Sequence, residues 1–150
     1  VGVGAVIFHD LKNDRTNNFD FALEEVVQFE GETGPYVQYT HARAMSILRK
    51  ANHTVDTQAA FSLTDDDAWE VLKLIENYPN VVRFAEEKCE PSAIAKYVIN
   101  LAQAFNKYYA HTKVLVEDEA FNSRIALVQT TASILKQGLA LLGVAAPDEM

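Results

Sequence analysis

Apolar residues in the last third of the chain recur at alternating intervals of four and three residues. An α-helix completes a turn every 3.6 residues, so this spacing places all of them on one helical face. Gly143 and Pro147 follow, and both residue types are common just past the end of a helix. A long helix with such a stripe must pack against other helices to bury it. The stripe consists of Phe121, Ile125, Val128, Ala132, Leu135, Leu139 and Leu142.

A second long apolar stripe follows Pro91, a residue that favours the first turn of a helix. Pro35 suits the same position in an earlier helix, which we predict to run through Lys50. Strand signals are nearly absent, so the sequence predicts an all-α fold, a bundle of about five helices. We expect helical structure to begin only at Phe21, because residues 1–21 mix glycine with β-branched and aromatic residues. The second stripe consists of Ile94, Tyr97, Val98, Leu101, Phe105, Tyr108, Thr112 and Leu115.

The middle of the chain predicts two shorter helices separated by a proline. Thr64 is a candidate N-cap, and the carboxylates of residues 65–67 suit the positive end of a helix dipole. Pro79 is expected to end this helix, and a short helix is expected over residues 81–89. The buried face of the first helix is expected to contain Trp69, Leu72 and Ile75.

The charged residues are unevenly distributed. The chain has 150 residues and a formal net charge of −8, which by itself argues against a polyanionic partner. Residues 34–53, 91–116 and 120–147, however, contain eight Lys and Arg residues and no acid. If these segments are neighbouring helices, they present a locally positive face that can attract a polyanion. The alternative is that the acids simply collect in loops and helix first turns. The candidate phosphate contacts on the positive face are Arg43, Lys113 and Arg124.

Aromatic residues are interleaved with these basic residues. Such a combination suits unstacked RNA bases, which stack on aromatic rings while cations hold the backbone. Tyr97, Phe105 and Tyr108 belong to the apolar stripe and are expected in the core. For Tyr39 and Tyr109, core packing and base stacking both remain open.

The sequence contains no recognisable catalytic or metal-binding arrangement. No two of the four histidines, His9, His41, His53 and His111, are three or four residues apart, which argues against a zinc or di-iron site. The single cysteine, Cys89, cannot form an internal disulfide, which favours a reducing cytoplasm, and we expect it to be buried and inert. No apolar run reaches the roughly 20 residues of a membrane-spanning helix. We therefore expect no catalytic residue and no metal ligand in this chain, and no membrane partner.

Residues 30–43 carry a specific resemblance to a known family. They read Glu-Gly-Glu-Thr-Gly-Pro-Tyr-Val-Gln-Tyr-Thr-His-Ala-Arg, which resembles the start of the anticodon-binding domain of arginyl-tRNA synthetases. Residues 3–21 resemble the tail of that family's catalytic region, and residues 141–150 resemble its C-terminus. The resemblance implies a division at residues 30 and 31, with residues 1–30 ending the catalytic region and residues 31–150 forming a helical anticodon-binding domain.

The resemblance also implies partners and site residues. The family uses ATP and magnesium to activate arginine and transfers it to tRNA(Arg). Its nucleotide-binding signatures, of the His-Ile-Gly-His and Lys-Met-Ser-Lys types, do not occur in this chain. The chain is therefore expected to bind tRNA(Arg), and not DNA, while a catalytic domain in cis performs the reaction. The residues that match the family's anticodon-contacting positions are Tyr36, Tyr39 and Met150.

A second hypothesis is a helical protein-interaction or regulatory module with no RNA role. The acid-free segments favour RNA binding, whereas the overall negative charge favours the second hypothesis.

Overall fold

The computed structural model describes residues 1–14 and 21–150. Within these ranges it contains six α-helices and no strand, which confirms the all-α prediction. The prediction was about five helices, and the structure has one more. The helices are α1 (Gly2–Lys12), α2 (Leu23–Val26), α3 (Gly34–Ala51), α4 (Asp66–Lys88), α5 (Pro91–His111) and α6 (Phe121–Leu141).

The helices of the three acid-free segments pack against one another. These are α3, α5 and α6, and each contacts the other two. The hydroxyl of Thr33 accepts a hydrogen bond from the amide of Tyr36 at the start of α3, and Pro35 occupies the first turn as predicted. Both predicted stripes lie mainly inside the bundle, and Tyr97, Phe105 and Tyr108 are buried as expected. The fold thus brings the basic segments together.

Helices α5 and α6 approach closely at Gly138. A Cβ atom at this position would lie 2.4 Å from Cγ1 of Val98, a fully buried residue of α5. Only glycine avoids this overlap, so Gly138 sets the distance between the two central helices.

Helix α4 corrects three predictions. It is one helix that continues through Pro79 to Lys88, where we expected two helices. Its N-cap is Asp65, whose carboxylate accepts from the amide of Ala68, and not Thr64. Trp69 is 59% exposed, because the buried face of this turn is formed by Ala68 and Val71 instead. The helix continues through Pro79 because it packs along α5. There the hydroxyl of Tyr97 donates a hydrogen bond to the carbonyl of Leu74.

Cys89 is exposed and not buried as predicted. It adopts a left-handed conformation with φ of 52° and closes α4 with backbone hydrogen bonds to Ala85 and Glu86. Cys89 is therefore exposed because it occupies the C-cap position of α4.

Helix α1 lies in a segment where we expected no helix. It packs against α3 and α5 and buries Ala5 and Phe8 completely. A Cβ atom on Gly34 would lie 2.8 Å from Cβ of Phe8, so the missing side chain lets α3 begin directly against α1. Tertiary packing here outweighs the weak helix propensity of glycine and valine.

Within the described parts of the chain, no helix is both long enough and apolar enough to cross a membrane. In the same residues, no group of three or more His, Cys, Asp or Glu side chains could hold a metal ion.

Candidate nucleic-acid interface

A cleft of about 430 Å³ lies between α3, the end of α5 and the C-terminal tail, residues 143–150. We call it the tail cleft. Three residues singled out from the sequence line it, namely Tyr39, Arg43 and Met150. The cleft is also lined by Tyr109, for which the sequence left base stacking open, and by Arg49, Lys50 and Leu115, which were not predicted as site residues.

The guanidinium of Arg43 makes cation–π contacts with two tyrosine rings. Its central carbon is 4.9 Å from the ring centroid of Tyr39 and 5.4 Å from that of Tyr109. Its Nη1 donates to Oδ1 of Asn106 over 2.8 Å, and its Nη2 donates to the hydroxyl of Tyr39 over 3.3 Å. Two cation–π contacts and two hydrogen bonds restrict the orientation of the guanidinium. The arrangement is a rigid positive surface flanked by aromatic rings.

The two tyrosines beside Arg43 remain accessible. Tyr39 and Tyr109 are each 40% exposed. Tyr39 also meets the ring of Phe29 edge-on, with centroids 6.3 Å apart. Both tyrosines therefore lie at the surface of the cleft and not in the core.

Tyr36 lies one turn earlier on α3 and does not line the tail cleft. Its ring is partly buried against the core. Its hydroxyl oxygen accepts a hydrogen bond from Nδ2 of Asn106 over 2.9 Å. Asn106 thus contacts both Tyr36 and Arg43, and it connects Tyr36 to the cleft.

Side chains of α3 bind the backbone of the C-terminal tail. Nε2 of Gln38 donates to the carbonyl of residue 145 over 2.8 Å, and Nδ1 of His41 lies 3.0 Å from the carbonyl oxygen of residue 147. Arg49 donates from Nη1 to the carbonyl of residue 148 over 3.2 Å. The tail is fixed along α3, which places Met150, a residue that is 46% exposed, at the cleft.

Acidic residues of the tail partly offset the basic residues of the cleft. Nη2 of Arg49 lies 3.7 Å from Oε1 of Glu149, and both side chains are well exposed. An exposed pair of this kind contributes little stability, and another anion can readily take the place of Glu149.

Arg49 and Lys50 could have been found from the sequence, since both belong to the acid-free segment of residues 34–53.

Arg124 lies away from the tail cleft and is engaged internally. Its side chain is only 8% exposed. The guanidinium donates to the carbonyls of Val114 and Val116 and, over 2.7 Å, to Oδ1 of Asp118. The hydrogen bond from Arg124 lowers the pKa of the Asp118 carboxyl. Arg124 therefore ties the loop between α5 and α6 to the start of α6.

Lys113 lies in the same loop and is exposed, but it does not line the tail cleft. The structure thus brings Tyr39, Arg43 and Met150 together, places Tyr36 next to them through Asn106, and leaves Lys113 and Arg124 outside this group.

Comparison with known proteins identifies the family. Residues 37–150 match the DALR anticodon binding domain. The whole chain is 66% identical to part of the arginine-tRNA ligase of Enterococcus faecalis and 59% identical to part of that of Latilactobacillus sakei. It covers 27% of each of these relatives.

Comparison with solved structures identifies the same family. Arginyl-tRNA synthetase of Thermus thermophilus matches 99% of this chain with a TM-score of 0.88 and 36% identity. That of Plasmodium falciparum matches 99% with a TM-score of 0.86 and 27% identity. The chain covers 26% and 27% of those two proteins. The chain therefore belongs to the DALR anticodon-binding domain family, in the form found in arginine-tRNA ligases.

Proposed function

We propose that the chain binds the anticodon side of tRNA(Arg) through the tail cleft. It thereby positions the tRNA for ATP-dependent aminoacylation by a catalytic domain in the same polypeptide. The observation that carries the proposal is the guanidinium of Arg43 in contact with two exposed tyrosine rings, in the cleft that Met150 also lines. The relatives of known function, which are arginine-tRNA ligases, support the choice of tRNA.

The residues of the cleft match the chemistry of single-stranded RNA. Bases in an anticodon loop can unstack, and each exposed base gains about 1–3 kcal/mol from an aromatic partner. Tyr39 and Tyr109 offer such ring faces, and Met150 offers a flexible apolar side chain that adapts to irregular surfaces. The phosphates of the loop require cations within reach, which Arg43, Arg49 and Lys50 supply.

The acidic character of the whole chain does not oppose this role. The basic residues of the cleft are grouped on α3, a helix that contains no acid. The Glu149 carboxylate nearest to Arg49 is exposed, so an incoming phosphate can displace it at little cost. A local positive surface of this kind steers a polyanion even on a protein of negative net charge.

The reaction belongs to residues outside this chain. In the proposed parent enzyme, ATP and magnesium act in the catalytic domain, and no residue described here is assigned to them. Residues 1–30 would belong to that domain's tail and residues 31–150 to the anticodon-binding domain. The compartment we infer for the enzyme is the cytoplasm.

The test is binding of the chain to a tRNA(Arg) transcript and to an unrelated tRNA over a series of salt concentrations. Arg43→Gln, Arg49→Gln and Lys50→Gln should each weaken binding and reduce the salt slope by roughly one for each lost phosphate contact. The matched controls are Lys73→Gln and Lys88→Gln, which remove the same charge from exposed positions of α4.

Two outcomes contradict the proposal. Equal losses at the cleft and at α4 would indicate a diffuse charge effect without a defined surface. Absence of binding to either tRNA would favour the alternative, a helical protein-interaction or regulatory module.

A further inference from the structure

Asn106 of α5 makes three side-chain hydrogen bonds, and all of them go to α3. Its Nδ2 donates to the hydroxyl oxygens of Tyr36 and Thr40, each over 2.9 Å. Its Oδ1 accepts from Nη1 of Arg43 over 2.8 Å. One partly buried amide therefore connects Arg43, which lines the tail cleft, to Tyr36, which lies outside the cleft and matches an anticodon-contacting position of the family.

The partners of Asn106 fix which way its amide faces. A guanidinium can only donate, so the oxygen of the amide must face Arg43. The NH2 group must then face the two hydroxyls. Thr40 donates its own hydroxyl proton to the carbonyl of Tyr36 over 2.9 Å, so toward Asn106 it acts only as an acceptor. These contacts fix which atom donates and which accepts in each hydrogen bond of the group, and we call this arrangement its polarity.

This polarity leaves the hydroxyl proton of Tyr36 free. Its oxygen accepts from Asn106, and the described residues provide no acceptor for its proton. The proton is therefore available for donation to a ligand. At the same time, the bond to Asn106 and the bond to Tyr39 orient the Arg43 guanidinium, and the part of the chain that the structure describes provides no acceptor for its remaining N–H groups.

We propose that Asn106 is a positioning residue that sets Tyr36 as a hydrogen-bond donor to an acceptor oxygen of the RNA strand and orients Arg43 beside it. The inference rests on the proposed function, because it concerns how the same surface presents its groups to RNA. Asn106 acts through its two partners and need not contact the RNA itself.

Asn106→Asp tests this role, since it keeps the shape of the side chain but replaces the NH2 donor with an acceptor. The new carboxylate would take the hydroxyl proton of Tyr36 and would neutralise the charge of Arg43. Affinity for tRNA(Arg) should fall roughly tenfold or more, and the salt slope should decrease by about one. The melting temperature should be unchanged or higher, because the carboxylate pairs with Arg43.

The matched control is Asn100→Asp. Asn100 is exposed on the same helix, lies on the side that faces α4, and adds the same negative charge when substituted. Its effect on affinity should be less than about two-fold at the same salt concentration, because the charge lies away from the cleft. An equal loss for both variants would overturn the inference and leave the proposed function standing.

Tyr36→Phe separates positioning from a purely structural role. Alone, it should lower affinity several-fold, because the donated hydrogen bond is lost. Combined with Asn106→Asp it should cause little further loss, because the hydroxyl proton already points inward in that background. If Tyr36→Phe binds like the wild type, the hydroxyl donates to nothing in RNA and the inference fails. If the unsubstituted chain does not bind tRNA(Arg) at all, the proposed function fails first.

Discussion

Nδ1 of His41, a buried residue of α3, lies 3.0 Å from the carbonyl oxygen of Pro147. A carbonyl only accepts, so this ring nitrogen carries a proton and donates it. The contact joins residues separated by 106 positions and fixes the tail close to its end. The placement of Met150 at the cleft thus depends on a helix far away in sequence.

Removal of residues 148–150 should weaken binding to tRNA(Arg) about five-fold or more, because a contact beside the tyrosines is lost. The deletion also removes the acids Asp148 and Glu149, so an effect of charge alone would strengthen binding. Binding titrations at fixed salt distinguish the two. The melting temperature should be preserved, since the lost contacts with Arg49 are exposed. Unchanged or tighter binding would remove Met150 from the site.

Substitutions of Lys113 and Arg124 should affect different properties of the chain, because Lys113 is exposed and Arg124 is engaged internally. Arg124→Met should lower the free energy of unfolding by about 1–3 kcal/mol, since the carbonyls of Val114 and Val116 lose their donors. Lys113→Gln should leave the unfolding free energy within about 0.5 kcal/mol, as expected for an exposed loop residue. Urea denaturation measures both.

In RNA binding the order of these two variants should reverse. Any loss of affinity should come with Lys113→Gln and be accompanied by a smaller salt slope. For Arg124→Met the salt slope of the folded protein should equal that of the wild type. A reduced slope for this variant would show that Arg124 reaches phosphate.

Gly138→Ala should destabilise the chain by about 1–3 kcal/mol, because the new methyl group overlaps Val98 in a fully packed interior. The control is Gly2→Ala, at a helical position where no atom lies within 4 Å of the added Cβ. That variant should be neutral or slightly stabilising, since alanine is the better helix former. Thermal or urea unfolding followed by circular dichroism compares them, and equal effects would contradict the close approach of α5 and α6.

The interaction between Asp67 and His111 should make the free energy of unfolding depend on pH in the acidic range. The hydrogen bond from His111, 2.7 Å long, and the nearby Lys107 lower the pKa of Asp67 below its ordinary 3.8. The unfolded chain therefore binds this proton more readily, so the stabilising contribution is present above the ordinary pKa and is lost as the pH falls through the lowered one. Asp67→Asn should differ from the wild type at a pH above the ordinary pKa of the carboxyl, and the difference should shrink as the pH falls through the lowered pKa.

His111→Gln provides the check on this assignment. It removes the largest cause of the lowered pKa while keeping the carboxylate and Lys107. Its unfolding free energy, measured over the same pH range, should lose most of the acid-side dependence. A variant that retained the full dependence would show that other carboxylates cause it.

The central helices could be predicted because their signals are local. The prolines in the first turns of α3 and α5 predict where these helices begin. The apolar stripes, which are several turns long, predict their buried faces. Helix α1 and the passage of α4 through Pro79 could not be predicted in this way. In both cases packing against α5 outweighs a local preference, and that packing is not visible in the sequence of the segment itself.

The candidate site was predictable to a similar extent. Tyr39 and Arg43 are four residues apart, so their shared face follows from helix geometry. The second ring on Arg43, from Tyr109, and the amide of Asn106 come from α5 and required the tertiary structure. The bonds to the tail had no sequence signal, because the acceptors are backbone carbonyls.

Those carbonyls impose an unusual constraint on the end of the chain. Every residue has a carbonyl group, so Gln38, His41 and Arg49 can hold a tail of almost any composition at residues 145, 147 and 148. An inserted or deleted residue, in contrast, would displace Met150 by about 3.3–3.6 Å, which is the length of one extended residue. Natural variation at the exposed residues Ala145, Asp148 and Glu149 should therefore change side chains freely but preserve the number of residues.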